Sequence, residues 1–544
     1  MINRLLVGVL FALLLSGNLV AIAQEAAAPS GKDGCPEFEV LEKAIGELRE
    51  ELFQSVEPAL LPFEQTCVGN PAFLYALGRL RFLRGEYGQA QEILSQAALV
   101  ATDPLLKRVI AHDMKLASDT AGLTAGYRRV VAPELGFILL HAPGRDEVLV
   151  PYIKDIFPRI RDSIGSFLGY SAKRPVRIEI FEDPQGLAAA SELTEEEIET
   201  SGTIALAKYG KLMLVSPKAM ARGYGWMDTL AHEYVHYVIQ QQTGTKVPIW
   251  IHEAFAKYLQ TRWRSEKSLP MRPSSQHLLK QALKKGDLVT FDEMSPSMAK
   301  LPSMERTGLA FAEVYTVAQY LESKVGPEGM RALIQGMAGG QTDREALKSV
   351  LGKPFSGFYR DWKRFLRKQR WQSVPAGVLE LRVFKSRHDP EAELREIGEK
   401  KAEDFTYLGD LLKARDRNKA AVVEYQKASK RTKGVNPTIQ AKYSDALLRT
   451  GDAPKALKAV EAPLSHYPEH VLLQLNRGKA LILLGRHDEA VEALNHALRI
   501  NPFDVEIHSL LVEIFERKGD QKSMDIETTA LKILQQDPTW ERTR

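Results

Sequence analysis

Three short runs of this chain are apolar or alternate apolar with polar positions, with turn residues near their ends. Phe137 to His141, Val176 to Phe181 and Lys211 to Val215 therefore read as strands, the third stopped by Pro217. Elsewhere apolar positions recur at helical spacing. Helices are expected at about Val40 to Gln54, at about Asp146 to Leu168, briefly after Pro184, and almost without interruption from Met227 onward. An α+β region of about 130 to 370, strands first, thus lies between helical regions.

Small residues recur in those helical regions at fixed offsets. Leu408-Gly409, Ala421, Tyr425 and Ala428 form one set. Gly451, Ala456 and Pro468 form a second, and Gly478, Gly485, Ala490, Ala497 and Pro502 a third. Gly451, Gly485 and Gly519 are each 34 residues apart, the period of a repeat built from two helices. Small side chains let the helices of one hairpin approach closely, and the glycines end the first helix. The stretch resembles tetratricopeptide repeats (TPRs). Leu77-Gly78, Gly85, Ala90 and Ala97 suggest a lone copy near the N-terminus. The last copy, after Phe503, loses its small residues and looks like a cap. An ordinary bundle would also mark close contacts with Ala and Gly, but it would not keep a common register. The expected organisation is an N-terminal helical region at 24–130, an α+β domain at 131–372, a linker at 373–400, and three to four repeats at 401–540.

The chemistry sits where the strands give way to helices. His232-Glu233-Tyr234-Val235-His236 is an HExxH run. On a helix, positions i and i+4 share a face one turn apart, so both imidazoles can reach one tetrahedral zinc ion. Glu233, beside the first ligand, is placed to take a proton from the attacking water. Asp228 is the expected cap of this helix and Gly244 its terminator. Chance alone would produce such a run in about 2% of chains of this make-up, so a third ligand is needed. Glu253 supplies one, 17 residues beyond His236 in Trp250-Ile251-His252-Glu253-Ala254-Phe255-Ala256-Lys257-Tyr258. Gly244 and Pro248 provide a turn that lets a second helix fold back on the first. His252 competes for the same role, but adjacent helical residues point about 100° apart, so only one of the pair can face the metal. His112, His141 and His277 lack partners at ligand spacing.

This pairing resembles the gluzincins, and most of all the bacterial peptidase MA-like group with its W-x-x-E-G-x-A-x-Y pattern. Trp250, Glu253, Ala256 and Tyr258 match, and the likeness runs from about Phe137 to Leu366. It implies an α+β zincin fold, one Zn2+ per chain held by His232, His236 and Glu253, and Glu233 as the catalytic carboxylate. Two positions depart from the pattern. Ala254 replaces a glycine, and the family's downstream tyrosine, which would stabilise the oxyanion, falls on Phe311. Tyr315 and Tyr258 are the possible substitutes, although each also reads as a packing residue.

Composition narrows the setting. With 44% hydrophobic and 26% charged residues the chain is globular. A formal net charge of +4, with no basic block interleaved with aromatics, argues against nucleic acid. Arg4, the apolar run Leu5 to Leu15 and the small-x-small Ala21-Ile22-Ala23 form an export signal at 1–23. Cleavage would leave Gln24 first; an uncleaved anchor is the alternative, though Ser16, Gly17 and Asn18 interrupt it. No later stretch is long and apolar enough to cross a membrane. In an oxidising compartment Cys35 and Cys67 are expected to form a disulfide pinning the first helix.

The expectation is a periplasmic or secreted zinc endopeptidase whose TPRs recruit a protein substrate or partner. A TPR adaptor with a structural or feebly active zincin domain is the alternative. An aminopeptidase is a weaker third reading, since no Gly-x-Met-Glu-Asn run precedes His232.

Overall fold

The computed structural model describes residues 35–536, apart from 296, 299–300, 375–383 and 388–393. The expected export signal lies outside them. No described helix is long and apolar enough to cross a membrane.

The described residues begin with helices Phe38–Arg49 and Phe53–Leu60, tied down by a Cys35–Cys67 disulfide. A hairpin of α1 (Pro71–Arg84) and α2 (Tyr87–Val100) follows, then helix Pro104–Thr124. Asn70 caps α1 by accepting from the amides of Ala72 and Phe73. Gly78 shows why the repeat pattern needs a small residue: a Cβ there would lie 2.7 Å from Leu94 Cγ on α2. A methyl group would push the helices apart.

A five-stranded sheet packs beside this hairpin. It comprises β1 (Arg128–Ala132), β2 (Phe137–His141), β3 (Val176–Phe181), β4 (Ala205–Lys208) and β5 (Lys211–Val215), with α3 (Leu149–Leu168) joining β2 to β3. The order is β1-β2-β3-β5-β4. The three strands read from the sequence form its parallel centre, and antiparallel β1 and β4 are its edges. Tyr209 (φ 60) and Gly210 (φ 66) turn the β4–β5 hairpin, the two-positive-φ turn that suits the strand twist.

An enclosed ionic cluster joins α2 to the sheet. Lys211 on β5 donates to Glu179 on β3 at 2.7 Å and to the Tyr87 hydroxyl of α2 at 2.5 Å. Arg177 also donates to Glu179 at 2.7 Å and reaches the Arg84 carbonyl at the end of α1. Burial alone would raise the Glu179 carboxyl, but Lys211 and Arg177 overcome it and hold it at about 2. The N-terminal hairpin is therefore part of the α+β body.

Beyond the sheet come α4 (Trp226–Thr243), α5 (Ile249–Leu259) and, after helix Pro273–Lys285, the long α6 (Met304–Ala338), broken at Gly326 (φ 65). Helices Asp343–Leu351 and Phe355–Lys368 close the domain. Between it and the next helices, Phe384 is buried and bridges Met220.

Among the described residues, eight helices then form four hairpins, from Lys400–Lys413 to Gln521–Gln536. Gly478 sits against Leu494 as Gly78 does against Leu94. These hairpins return to the α+β body and dock on it. Tyr224 N–H donates to Ile500 O at 3.0 Å, and the Trp226 indole donates to Leu498 O at 3.3 Å. Arg272 pairs with Glu469 at 2.7 Å, and the Tyr152 hydroxyl donates to Glu527 at 3.0 Å.

Candidate metal centre

The helix carrying the histidines starts in a way the sequence did not suggest. Gly225, not Asp228, is its N-cap. Asp228 instead accepts from the Trp263 indole at 2.9 Å and pairs with Arg264 at 2.7 Å, pinning the chain that leaves α5. The first turn of α4 is held by Trp226 against the C-terminal repeats. Gly244 ends the helix with φ 61, as expected.

His232 and His236 lie one turn apart on α4, and Glu253 faces them from α5. His232 Nε2 and His236 Nε2 are 3.1 Å apart. Glu253 Oε2 is 3.2 Å from the first and 3.7 Å from the second. Zinc bonded at about 2.0–2.1 Å in a tetrahedron has ligand atoms about 3.3 Å apart, so the three separations fit one such ion. Glu253 Oε2 is buried and makes no aligned hydrogen bond, and His232 Nδ1 is buried without a partner. The residues present thus form a donor set suited to a divalent cation, and among the described residues no other His, Cys, Asp and Glu group converges in this way.

Electrostatics distinguish the four groups. Burial pushes His232 down to about 4, which keeps its imidazole neutral as a ligand must be. Burial would also lower His236 and raise Glu253, but their mutual attraction wins: His236 is raised and Glu253 is held well below the carboxylate range. Glu233 is different. Burial pushes it up to about 7, although it accepts from the Ala207 amide of β4. A carboxylate poised near neutrality suits a group that takes up and gives back a proton.

Two neighbours have places that the sequence did not give. His252 does not join the ligand set, as its direction on the helix required. Its Nδ1 lies 3.4 Å from His236 Nδ1, with the rings 5.5 Å apart. Burial drives His252 down to about 3, so its imidazole is neutral; with Nε2 of His236 toward the other ligands, the tautomer that places hydrogen on Nδ1 of His236 would donate to it. The second is Lys257, one turn beyond Glu253 on the same face of α5. Their spacing of four was readable, but not what it faced. Of the two tyrosines considered beside Phe311, Tyr315 donates to Leu269 O at 2.8 Å and Tyr258 donates to Glu322. Both hydroxyls are engaged away from the ligands. His141 and His277 bond to backbone groups and His112 to Asp113, in keeping with structural roles.

A cavity of about 460 Å³ opens over these residues, lined by His232, Glu233, His236, Glu253, Lys257, Phe311 and edge strand β4 from Ala205 to Ala207. Two further cavities, of about 430 and 280 Å³, share Lys257 and Gln260 with it. Both reach the repeats at Glu469, and the smaller continues along His470 to Leu472 and Asn501. The cleft therefore runs from the candidate ligands to the wall formed by the docked repeats.

Fold and site together describe an α+β domain carrying a candidate metal centre, followed by an all-α TPR solenoid, mostly helical overall. Residues 163–368 match the family model of the Peptidase MA superfamily, and residues 71–96 and 444–505 match tetratricopeptide repeat models. The chain thus carries a peptidase MA-like domain with TPR repeats. No curated protein matches it in sequence. Among solved structures, leukotriene A4 hydrolase from Saccharomyces cerevisiae is 12% identical, covering 75% of this chain and 67% of that one with a TM-score of 0.29. MamA is 15% identical, covering 28% of this chain and 90% of its own, with a TM-score of 0.23.

Proposed function

We propose that this chain is an exported zinc-dependent endopeptidase that holds the metal through His232, His236 and Glu253. The observation that carries the reading is the convergence of these three donor atoms at tetrahedral spacing, with Glu233 buried beside them. Zinc, when bound there, would polarise the scissile carbonyl and acidify the attacking water. Glu233 accepts the proton of that water and returns it to the leaving amine. His252 keeps His236 oriented. Edge strand β4, which lines the cleft, suits an extended peptide added as a further strand. A cleft continuing to the repeats favours a long polypeptide over a free terminus, which supports endopeptidase action and a substrate-recruiting role for the TPRs.

A second reading is a TPR adaptor whose zincin domain is structural or feebly active. The absence of a hydroxyl at Phe311 favours it. The two are separated by metal content and hydrolysis. His232→Ala, His236→Ala and Glu253→Ala should each lose stoichiometric zinc by elemental analysis. Glu233→Gln should keep zinc while peptide cleavage falls about 10²–10⁴-fold. Full zinc in His232→Ala would sink the ligand assignment. A zinc-loaded wild-type protein that cleaves no peptide, while its repeats capture a partner, would favour the adaptor.

A further inference from the structure

Hydrolysis of an amide puts negative charge on the carbonyl oxygen, and fixed donors or cations aimed at that charge supply much of an enzyme's rate enhancement. The tyrosine hydroxyls near the centre are committed to Leu269 and Glu322. Among the described residues lining the 460 Å³ cavity, Lys257 is the one lysine or arginine. Two observations place it well. It stands four residues after Glu253 on α5, on the same face one turn on. Its ammonium lies 4.7 Å from the centroid of the Phe311 ring, which lines the same cavity.

We infer that Lys257 is a catalytic residue whose ammonium stabilises the oxyanion, with Phe311 holding the side chain in place by its ring face. The inference rests on the peptidase reading. In the step concerned, the oxygen of water bonds to the carbonyl carbon, the C=O π pair moves onto the carbonyl oxygen, and Glu233 takes the water proton. On collapse that pair re-forms C=O, the C–N bond breaks, and the leaving nitrogen takes the proton from Glu233. Lys257 donates a hydrogen bond to the charged oxygen and keeps its protons throughout. Phe311 at this position then ceases to be a defect: a hydroxyl is replaced by a cation lodged against a ring.

The test compares wild type, Lys257→Met and Lys257→Arg as full-length zinc-loaded proteins. In Lys257→Met, kcat should fall about 10²–10³-fold while KM for the same peptide changes less than about threefold. Lys257→Arg should recover part of the loss, and zinc should stay at one per chain in both. A phosphinic peptide, which carries a fixed tetrahedral anion, should bind Lys257→Met more weakly by calorimetry, by about the factor lost in kcat. Equal binding of the phosphinic peptide to wild type and Lys257→Met overturns the inference, whatever happens to hydrolysis, and so does loss of zinc from Lys257→Met. A wild-type protein that cleaves no peptide overturns the peptidase reading instead.

Discussion

Replacing Glu313 by glutamine should make the protein more stable at alkaline pH and leave it nearly unchanged at acid pH. Glu313 lies on α6 with no measurable exposure. One carboxyl oxygen accepts from the Val289 amide at 2.9 Å, and the other is buried without a hydrogen-bond partner. Burial pushes this carboxyl up from the ordinary 4.5 to about 8; Arg306 opposes the rise, while Glu293 and Asp287 add to it. Between those pH values the unfolded chain has released the proton that the folded chain retains. Stability therefore falls as pH rises through that window, at up to about 1.4 kcal/mol per pH unit. It levels off above about 8, which caps the penalty at about 5 kcal/mol. Relaxation and water entry reduce such ceilings, so a gain of about 2–4 kcal/mol for Glu313→Gln at pH 8 is expected. Glutamine keeps the acceptor for Val289, and its amide repeats the unpaired donor of the protonated acid, so little should change near pH 5. Hydrogen exchange of the α6 amides, measured for both proteins between pH 5 and 8, reads the difference where it arises. A difference that does not grow with pH, or a variant weaker at pH 8, would refute the reasoning.

Two predictions concern the ends of the chain. Deleting residues from Lys400 onward should strip Trp226 of its acceptor and cover, costing the α4 region about 3–5 kcal/mol by analogy with large-to-small core changes; an unchanged melting temperature and full zinc retention would show that the repeats are a detachable recruiting arm. If the protein is exported with signal cleavage after Ala23, mass spectrometry of purified protein should find Gln24 first, and an intact Met1 would show a retained leader.

The parts legible in the sequence are those that a single segment encodes. The helix around His232, the direction of Glu253 relative to His252, the parallel strands and the 34-residue glycine register each follow from local spacing. The edges of the sheet escaped detection for a physical reason. β4 reads Ala-Leu-Ala-Lys and β1 begins Arg-Arg, so neither has a strong apolar alternation; pairing to a buried neighbour makes them strands. Asp228 looked like a cap because capping is local, whereas its partners Trp263 and Arg264 arrive from beyond the next helix. The roles of Lys257 and of the docked repeats depend on surfaces brought together from distant parts of the chain, and no local pattern encodes that meeting.

The bond from Trp226 to Leu498 spans 272 residues, and that span sets an order in time. A ribosome adding about 5–20 residues per second makes Trp226 many seconds before its acceptor exists. Through that interval the first turn of the helix bearing His232 and His236 lacks the partner that holds it in the finished protein. The half of the molecule that holds the candidate metal centre is written early and completed late, so a nascent chain is still missing a brace of that centre when most of it has already been made.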